Sequence, residues 1–368
     1  MILILTQCFP PILGGIETLM GGLADALNSC KKEVIVFADK HGDSQSHDMT
    51  QEYKIFRFGG WKPVRRLRKG LTVKSYVKRH AHQISHIIAD SWKSLEHLHL
   101  STPQRGGLRI VCLAHGMELP PTPHSTKKNR IRASFGKADI VLANSQMTRS
   151  LAESYIGKST DLRIVTPPIH PQPKADDTAY AILDNRLGLM QDVTLLVSLG
   201  RLEQRKGIDR VIESINRLSS SHPKLILAIA GDGADRSRLE TLVNNRPIKN
   251  RVHFLGRITE EEKAALLSRA DAFVMPTRRT GNSVEGYGIV YIEAGWYGTP
   301  SLASRNSGAA DAVIEGKTGM LCDGDDIDSI TSELSIMISN PKILQQMGKN
   351  AMIHSHNQVW SRRVHDYL

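Results

Sequence analysis

Apolar and polar positions alternate in two rhythms along this chain, and the pair of rhythms repeats from end to end. Short apolar runs occur at Met1–Leu5, Glu33–Ala38, Lys54–Phe58, Arg109–Leu113, Ile140–Ala143 and Arg163–Val165, each of strand length and bounded by polar or turn residues. Between them, Gly15–Ser29, Val73–His86 and Ser145–Tyr155 place apolar side chains three and four apart, the spacing of a helix with one buried face. Strands so evenly apolar, separated by helices, predict a parallel sheet covered on both sides. The segment Thr166–Asp177 breaks the pattern with four prolines and no period, and reads as a linker. Beyond it, strands at Thr194–Leu199, Lys224–Ala230, Val252–Leu255, Ala272–Met275 and Pro300–Ala303 alternate with helices at Ile208–Ser219, Ala234–Asn244, Glu260–Ser268 and Ile289–Tyr297. The prediction is an α/β protein of two doubly wound, Rossmann-like domains, residues 1–168 and 178–356, with parallel sheets facing across a cleft. In such sheets ligands bind beyond the carboxyl ends of the strands. The final stretch, 357–368, carries Trp360, Val364 and Tyr367 or Leu368 at helical spacing and predicts a closing helix.

Length agrees with this division, since 368 residues suit two domains of roughly 170 to 190 each. No window approaches the roughly 18 to 20 consecutive apolar residues of a membrane span. Met1–Leu5 lacks a basic leader and runs into Cys8-Phe9-Pro10-Pro11, which predicts a first buried strand rather than a signal peptide. The four cysteines, Cys8, Cys30, Cys112 and Cys322, show neither metal-like nor disulfide-like spacing, and a reducing cytoplasm is the expected compartment.

Charge changes the picture more. The net charge of +11 lies entirely in residues 1–170, with 24 Lys and Arg against 13 Asp and Glu, because residues 171–368 hold 24 of each. A one-sided excess of this kind points to an anionic partner met by the first half. Its densest part is Trp61–His80, where Arg65, Arg66, Arg68, Lys69, Lys74, Lys78 and Arg79 are interleaved with Trp61, Leu67, Leu71, Val73, Tyr76 and Val77. That mixture suits an interfacial segment on an anionic bilayer, at the inner face of the cytoplasmic membrane, with Trp61, Arg65, Arg66, Arg68 and Lys69 as membrane or acceptor contacts. No recognisable nucleic-acid module surrounds it, so nucleic acid is not an expected partner. The plain alternative is a solvated basic helix.

Three short motifs carry candidate chemistry. Gly14-Gly15-Ile16-Glu17 follows the first strand and opens a helix, where glycines admit a phosphate or sugar close to the backbone; the alternative is a tight turn that needs glycine for packing. Gly200-Arg201-Leu202-Glu203-Gln204-Arg205-Lys206-Gly207 occupies the equivalent place in the second half, and cations there suit a diphosphate; the alternative is a solvated charged loop. Glu285-Gly286-Tyr287-Gly288-Ile289, continuing to Glu293, describes a loop entering a helix, with free amides for phosphate oxygens and one carboxylate on either side. A helix N-terminus that favours a nearby acid explains Glu285, but not Glu293 on an otherwise apolar face. Among the histidines only His115 has a positional argument, at the end of a buried strand before Gly116. No metal-ligand spacing accompanies any of them.

Together Gly-Gly-Ile-Glu, Gly-Arg-(x4)-Lys-Gly and Glu-(x7)-Glu resemble the large retaining GT-B glycosyltransferase family that includes phosphatidylinositol and lipopolysaccharide-core mannosyltransferases. His115-Gly116, Ala143-Asn144-Ser145, Gly231-Asp232-Gly233, Val252–Gly256 and Gly316-Lys317-Thr318-Gly319 extend the resemblance over most of the chain. The resemblance implies that Gly14 and Gly15 meet the donor, that His115 sits near the reacting sugar, and that Arg201 and Lys206 hold the diphosphate. It further implies that Glu285 bonds the sugar hydroxyls, Glu293 the ribose, and Gly286, Tyr287, Gly288 and Ile289 the phosphates through their backbone. Ile258, Glu260 and Lys263 fall where related enzymes contact guanine; the alternative for the last two is a capped, solvated helix start after Thr259. One departure is Ser307-Gly308-Ala309-Ala310-Asp311, where the family commonly has two glycines and a proline.

The implied reaction is retaining transfer of mannose from GDP-mannose to a lipid-linked or lipopolysaccharide-type acceptor, without a metal or other cofactor. A double displacement needs a placed carboxylate nucleophile. Glu285 and Glu293 are both assigned to binding, so a front-face departure assisted by the leaving diphosphate is preferred. The alternatives are a UDP-sugar donor, a non-catalytic nucleotide-sugar-binding protein, and an epimerase of the same architecture.

Overall fold

Successive residues of the first strand, β1 (Ile2–Thr6), point to opposite faces of a sheet: Leu3 and Leu5 join one apolar layer, Ile2 and Ile4 the other. Such a strand must be buried on both sides, and its neighbours are β2 (Val34–Asp39) and β4 (His86–Ala89). With β3 (Lys54–Phe58), β5 (Arg109–Ala114), β6 (Ile140–Ala143) and β7 (Asp161–Ile164) they form a seven-stranded sheet in the order β3-β2-β1-β4-β5-β6-β7. Every pairing is parallel. The chain reverses its winding between β1 and β4, so the loops after Thr6 and Ala89 diverge there.

This is a computed structural model, and it describes residues 1–101, 105–122, 124–157, 160–188, 193–281 and 283–368. The chain forms two compact units, Met1–His170 with Trp360–Leu368, and Pro171–Val359. The second unit holds β8 (Thr194–Leu199), β9 (Leu225–Ala230), β10 (Val252–Gly256), β11 (Ala272–Met275), β12 (Ser301–Ser304) and β13 (Gly319–Cys322). Their order is β10-β9-β8-β11-β12-β13, again parallel, with the reversal between β8 and β11.

Three expectations are corrected. The helix predicted over Val73–His86 runs instead from Lys62 to His80, with a proline in its first turn, and His86 opens the central strand β4. The strand β13 lies in what reads as the end of a glycine turn. The closing segment is not one helix: a short helix, Trp360–Arg363, passes into a tighter turn, Val364–Tyr367. Trp360, Val364 and Tyr367 are nonetheless all buried, in the layer of the first unit that contains Leu23 and Leu27 of the helix Gly15–Ser29. The Trp360 amide donates to the Ile169 carbonyl at 3.2 Å.

Candidate active site

In the second unit the loop after β8 turns back on the segment after β11, and the cause is local. Gly207 adopts φ +72°, and a Cβ there would stand 2.1 Å from the Pro276 carbonyl oxygen, so only glycine allows the approach. The loop is then tied down, because the Arg278 amide donates to the Arg205 carbonyl at 2.8 Å and its guanidinium forks onto Asp209 at 3.0 and 2.9 Å. The turn Gln204–Lys206 thereby presents two cations to Glu285. Lys206 Nζ lies 2.5 Å and Arg205 Nη1 2.8 Å from the same carboxylate oxygen, Glu285 Oε2. Arg205 Nε donates at 2.7 Å to Glu203 Oε2. Burial pushes the Glu285 carboxyl up, but Lys206 and then Arg205 outweigh it and hold the group below the usual carboxylate range. Arg201 differs: it is largely exposed, with one nitrogen 3.4 Å from Glu203 Oε1.

Beyond Glu285 the chain enters the helix Ile289–Trp296 through Gly288, at φ +84°, where a Cβ would meet the Tyr291 ring at 2.5 Å. Among the described residues no side chain caps the start of this helix, and of its first-turn amides Tyr291 donates to the Gly288 carbonyl at 3.1 Å. Gly286 and Tyr287 are buried, and the Tyr291 hydroxyl donates to the Met275 carbonyl at 2.5 Å. Glu293, the fifth residue of the helix, accepts from Lys263 Nζ at 3.2 Å, and Lys263 also reaches Glu260 at 2.6 Å. Burial lowers the Lys263 pKa, but Glu293 and Glu260 more than reverse this, and the net direction is upward. Lys263 stands on the helix Glu260–Arg269, started by a capping box between Thr259 and Glu262, with Ile258 half-buried just before it. The loop that departs from the family pattern stays attached: Gly308 N donates to the Glu285 carbonyl at 2.9 Å, and Ser307 Oγ lies 2.9 Å from Thr277 Oγ1.

In the first unit His115 directly follows β5, with Nε2 2.8 Å from the Asp90 carbonyl and its amide donating to Glu118 at 2.7 Å. Asp90 follows β4 and is buried, accepting from Thr6, Gln7, Ser91 and Ser94. Gly14 and Gly15 open the helix Gly15–Ser29. Gly14 has extended backbone (φ 171°), and a Cβ on it would meet only the Glu17 side chain; one on Gly15 would meet nothing within 4 Å. Packing of the turn therefore does not require either glycine.

The basic stretch is the helix Lys62–His80, and it corrects the expected contact set. Lys69 is 2% exposed, with Nζ 2.8 Å from Asp39 Oδ1 and 2.6 Å from the Thr6 carbonyl. Arg65 pairs with Asp39 Oδ2 at 3.0 Å, and Arg66 donates to Gln7 Oε1 at 2.8 Å. Lys69 is thus removed from any surface, and Arg65 and Arg66 turn inward to the ends of β1 and β2. Trp61 is 75% exposed, and Val64, Leu67, Arg68, Leu71, Lys74 and Lys78 form an exposed stripe beside it. Among the described residues no helix is long and apolar enough to cross a membrane.

Arg205 was not singled out by sequence reasoning. The one signal for it was its place in a basic run after a strand, and its partner Glu285 lies 80 positions away.

Comparison with known proteins fits this arrangement. Residues 182–353 match the family model described as glycosyl transferases group 1, and residues 13–172 match glycosyltransferase family 4. A GDP-mannose-dependent α-(1-6)-phosphatidylinositol monomannoside mannosyltransferase of Mycolicibacterium smegmatis is 32% identical over 94% of this chain and 91% of its own length. A protein of the same description from Mycobacterium tuberculosis is 27% identical over 92% and 89%. Among solved structures, Anabaena HepE in complex with UDP superposes with a TM-score of 0.79 at 19% identity, covering 99% of this chain and 98% of that one. WaaG, a glycosyltransferase involved in lipopolysaccharide biosynthesis, gives 0.67 at 18% identity, covering 99% of this chain and 97% of that one. Two parallel-sheet units, a Glu-(x7)-Glu segment held by cations and a relative matched over nearly its whole length lead to one assignment: the chain belongs to the group 1 glycosyltransferases and is a glycosyltransferase of GT-B fold.

Proposed function

We propose that this enzyme transfers mannose from GDP-mannose, with retention, to a lipid-linked acceptor such as a phosphatidylinositol mannoside or a lipopolysaccharide-type glycan. One observation carries the reading: both carboxylates of the Glu-(x7)-Glu segment are already paired with cations, Glu285 with Lys206 and Arg205, and Glu293 with Lys263. The uncapped start of the helix Ile289–Trp296 lies between them in the chain. A diphosphate on those amides, with Lys206 and Arg201 as counter-ions, directs the sugar toward Glu285 and the ribose toward Glu293. Glu260 and Lys263 then face the base, with Ile258 offering backbone groups. The mycobacterial relatives support guanine and mannose.

In the reaction the bond from the anomeric carbon to the diphosphate oxygen breaks, and the acceptor oxygen bonds that carbon on the same face. The acceptor proton passes to the departing diphosphate. Glu285 binds sugar hydroxyls, Lys206, Arg201 and the helix amides stabilise the leaving charge, and no protein nucleophile is used. Gly14 and Gly15 are assigned to the donor and His115 to the neighbourhood of the reacting sugar, and the open space over Gly15 supports close backbone approach. The exposed stripe Trp61, Val64, Leu67 and Leu71, with Arg68, Lys74 and Lys78, is assigned to an anionic membrane surface at the inner face of the cytoplasmic membrane.

Calorimetric titration with GDP and with UDP tests the donor. GDP is expected to bind at least about tenfold tighter, a difference of about 1.4 kcal/mol; preference for UDP would replace GDP-mannose with a UDP-sugar.

A further inference from the structure

Two cations meet on one oxygen of Glu285, and their surroundings differ. Lys206 holds Glu285 Oε2 by a single contact at the end of a mobile four-carbon stem, the only side-chain bond it makes among the described residues. Arg205 is fixed at three points: Nη1 on Glu285 Oε2, Nε on Glu203 Oε2, and its carbonyl under the Arg278 amide. Arg278 is itself forked onto Asp209. Glu285 Oε1 accepts no hydrogen bond among the described residues.

From this asymmetry, and resting on the donor site proposed above, we infer that Arg205 is a positioning residue that stays on Glu285 through the catalytic cycle while Lys206 transfers to the donor diphosphate. A half-buried carboxylate cannot lose its only counter-ion cheaply, because the uncompensated charge must then be neutralised or resolvated. With Arg205 in place, Lys206 leaves for a phosphate oxygen and Glu285 stays ionised, with Oε1 turned to the sugar hydroxyls. Without Arg205, Glu285 and the diphosphate compete for one lysine. Glu203 is part of the same device, since it stops the guanidinium from following Lys206.

The groups around Glu285 are Lys206 and Arg205 from the loop after β8, Glu203 behind Arg205, and Tyr291 from the following helix, its hydroxyl buried and committed to Met275. Removing Arg205 takes away one of the two cations that depress the Glu285 pKa, so that pKa rises. Activity that needs the carboxylate is lost as pH falls through it, and the acid limb moves to higher pH.

The test measures kcat, donor KM, the pH profile and nucleoside-diphosphate affinity for the wild type, Arg205→Gln, Arg205→Lys and Glu203→Gln. For Arg205→Gln, kcat/KM for the donor is expected to fall about tenfold or more. The acid limb should move up by about one pH unit. GDP affinity should fall less than turnover, and should recover as the pH is lowered and Glu285 becomes protonated. Arg205→Lys should restore part of the loss, and Glu203→Gln should shift the limb in the same direction by less. If Arg205→Gln unfolds, Arg205→Lys and Glu203→Gln decide alone. Unchanged pH profiles and turnover in the folded variants would overturn the inference. A wild type that binds no nucleoside diphosphate would instead overturn the donor site on which it rests.

Discussion

At the scale of single residues, the chemistry depends on which carboxylate faces which cation. Replacing Lys206 with Ala removes the transferable counter-ion of the diphosphate, and charge-assisted bonds of that kind are worth about 1.5 to 3 kcal/mol. Donor affinity measured by calorimetry should drop about 10- to 100-fold. Base reading is better tested at Glu260 than at Lys263. Lys263 also holds Glu293, so its loss disturbs the ribose contact in any nucleotide. Glu260→Ala should weaken GDP more than UDP, and equal losses would remove guanine recognition from this helix. Since protein cations neutralise the leaving group in this account, turnover should survive a strong chelator; loss restored by magnesium or manganese would contradict it. The residues that pair here were legible in the sequence where they stood at a fixed offset from a glycine turn, as Lys206, Glu285 and Glu293 do. Arg205 was not legible, because its significance comes from Glu203 beside it and Glu285 far along the chain, which only folding brings together.

At the scale of elements, the strands buried on both faces were the clearest feature of the sequence: Thr194–Leu199 and Ala272–Met275 begin and end where the apolar runs do. The central strand β4 escaped because it is four residues long, starts with histidine and follows a helix whose own period runs up to it. Burial within the helix Lys62–His80 was also hidden, since charge density says nothing about which cations turn inward. Lys69 and Arg68 separate the buried face of that helix from its exposed stripe. Lys69→Ala leaves the buried Asp39 without its closest partner and should destabilise the protein by ~3–5 kcal/mol in denaturant unfolding. Arg68→Ala should leave stability unchanged. Combined with Leu67→Ser and Leu71→Ser, it should lower binding to vesicles containing anionic lipid while sparing GDP affinity, each cation near the surface contributing about 1 kcal/mol. Full retention of vesicle binding in that triple variant would leave the stripe as a solvated face.

At the scale of the whole molecule, two sheets of like topology were readable from the restart of the alternation after Thr166–Asp177, whereas the apolar spacing of Trp360, Val364 and Tyr367 showed only that the chain end has a face to bury, not that it returns to the first unit. Their packing makes the last nine residues part of the first unit. Trp360→Ala should therefore cost about 3–5 kcal/mol, as for other large buried side chains, and a first unit as stable as before would detach this segment from its core. The central claim concerns the reaction. It is tested most directly by incubating the enzyme with a panel of nucleotide sugars and a membrane lipid extract, and determining the anomeric configuration of the product by NMR. The account predicts an α-linked mannosyl lipid formed from GDP-mannose with retained configuration. A product formed from a UDP-sugar, an inverted anomer, or nucleotide binding without any transfer would contradict it.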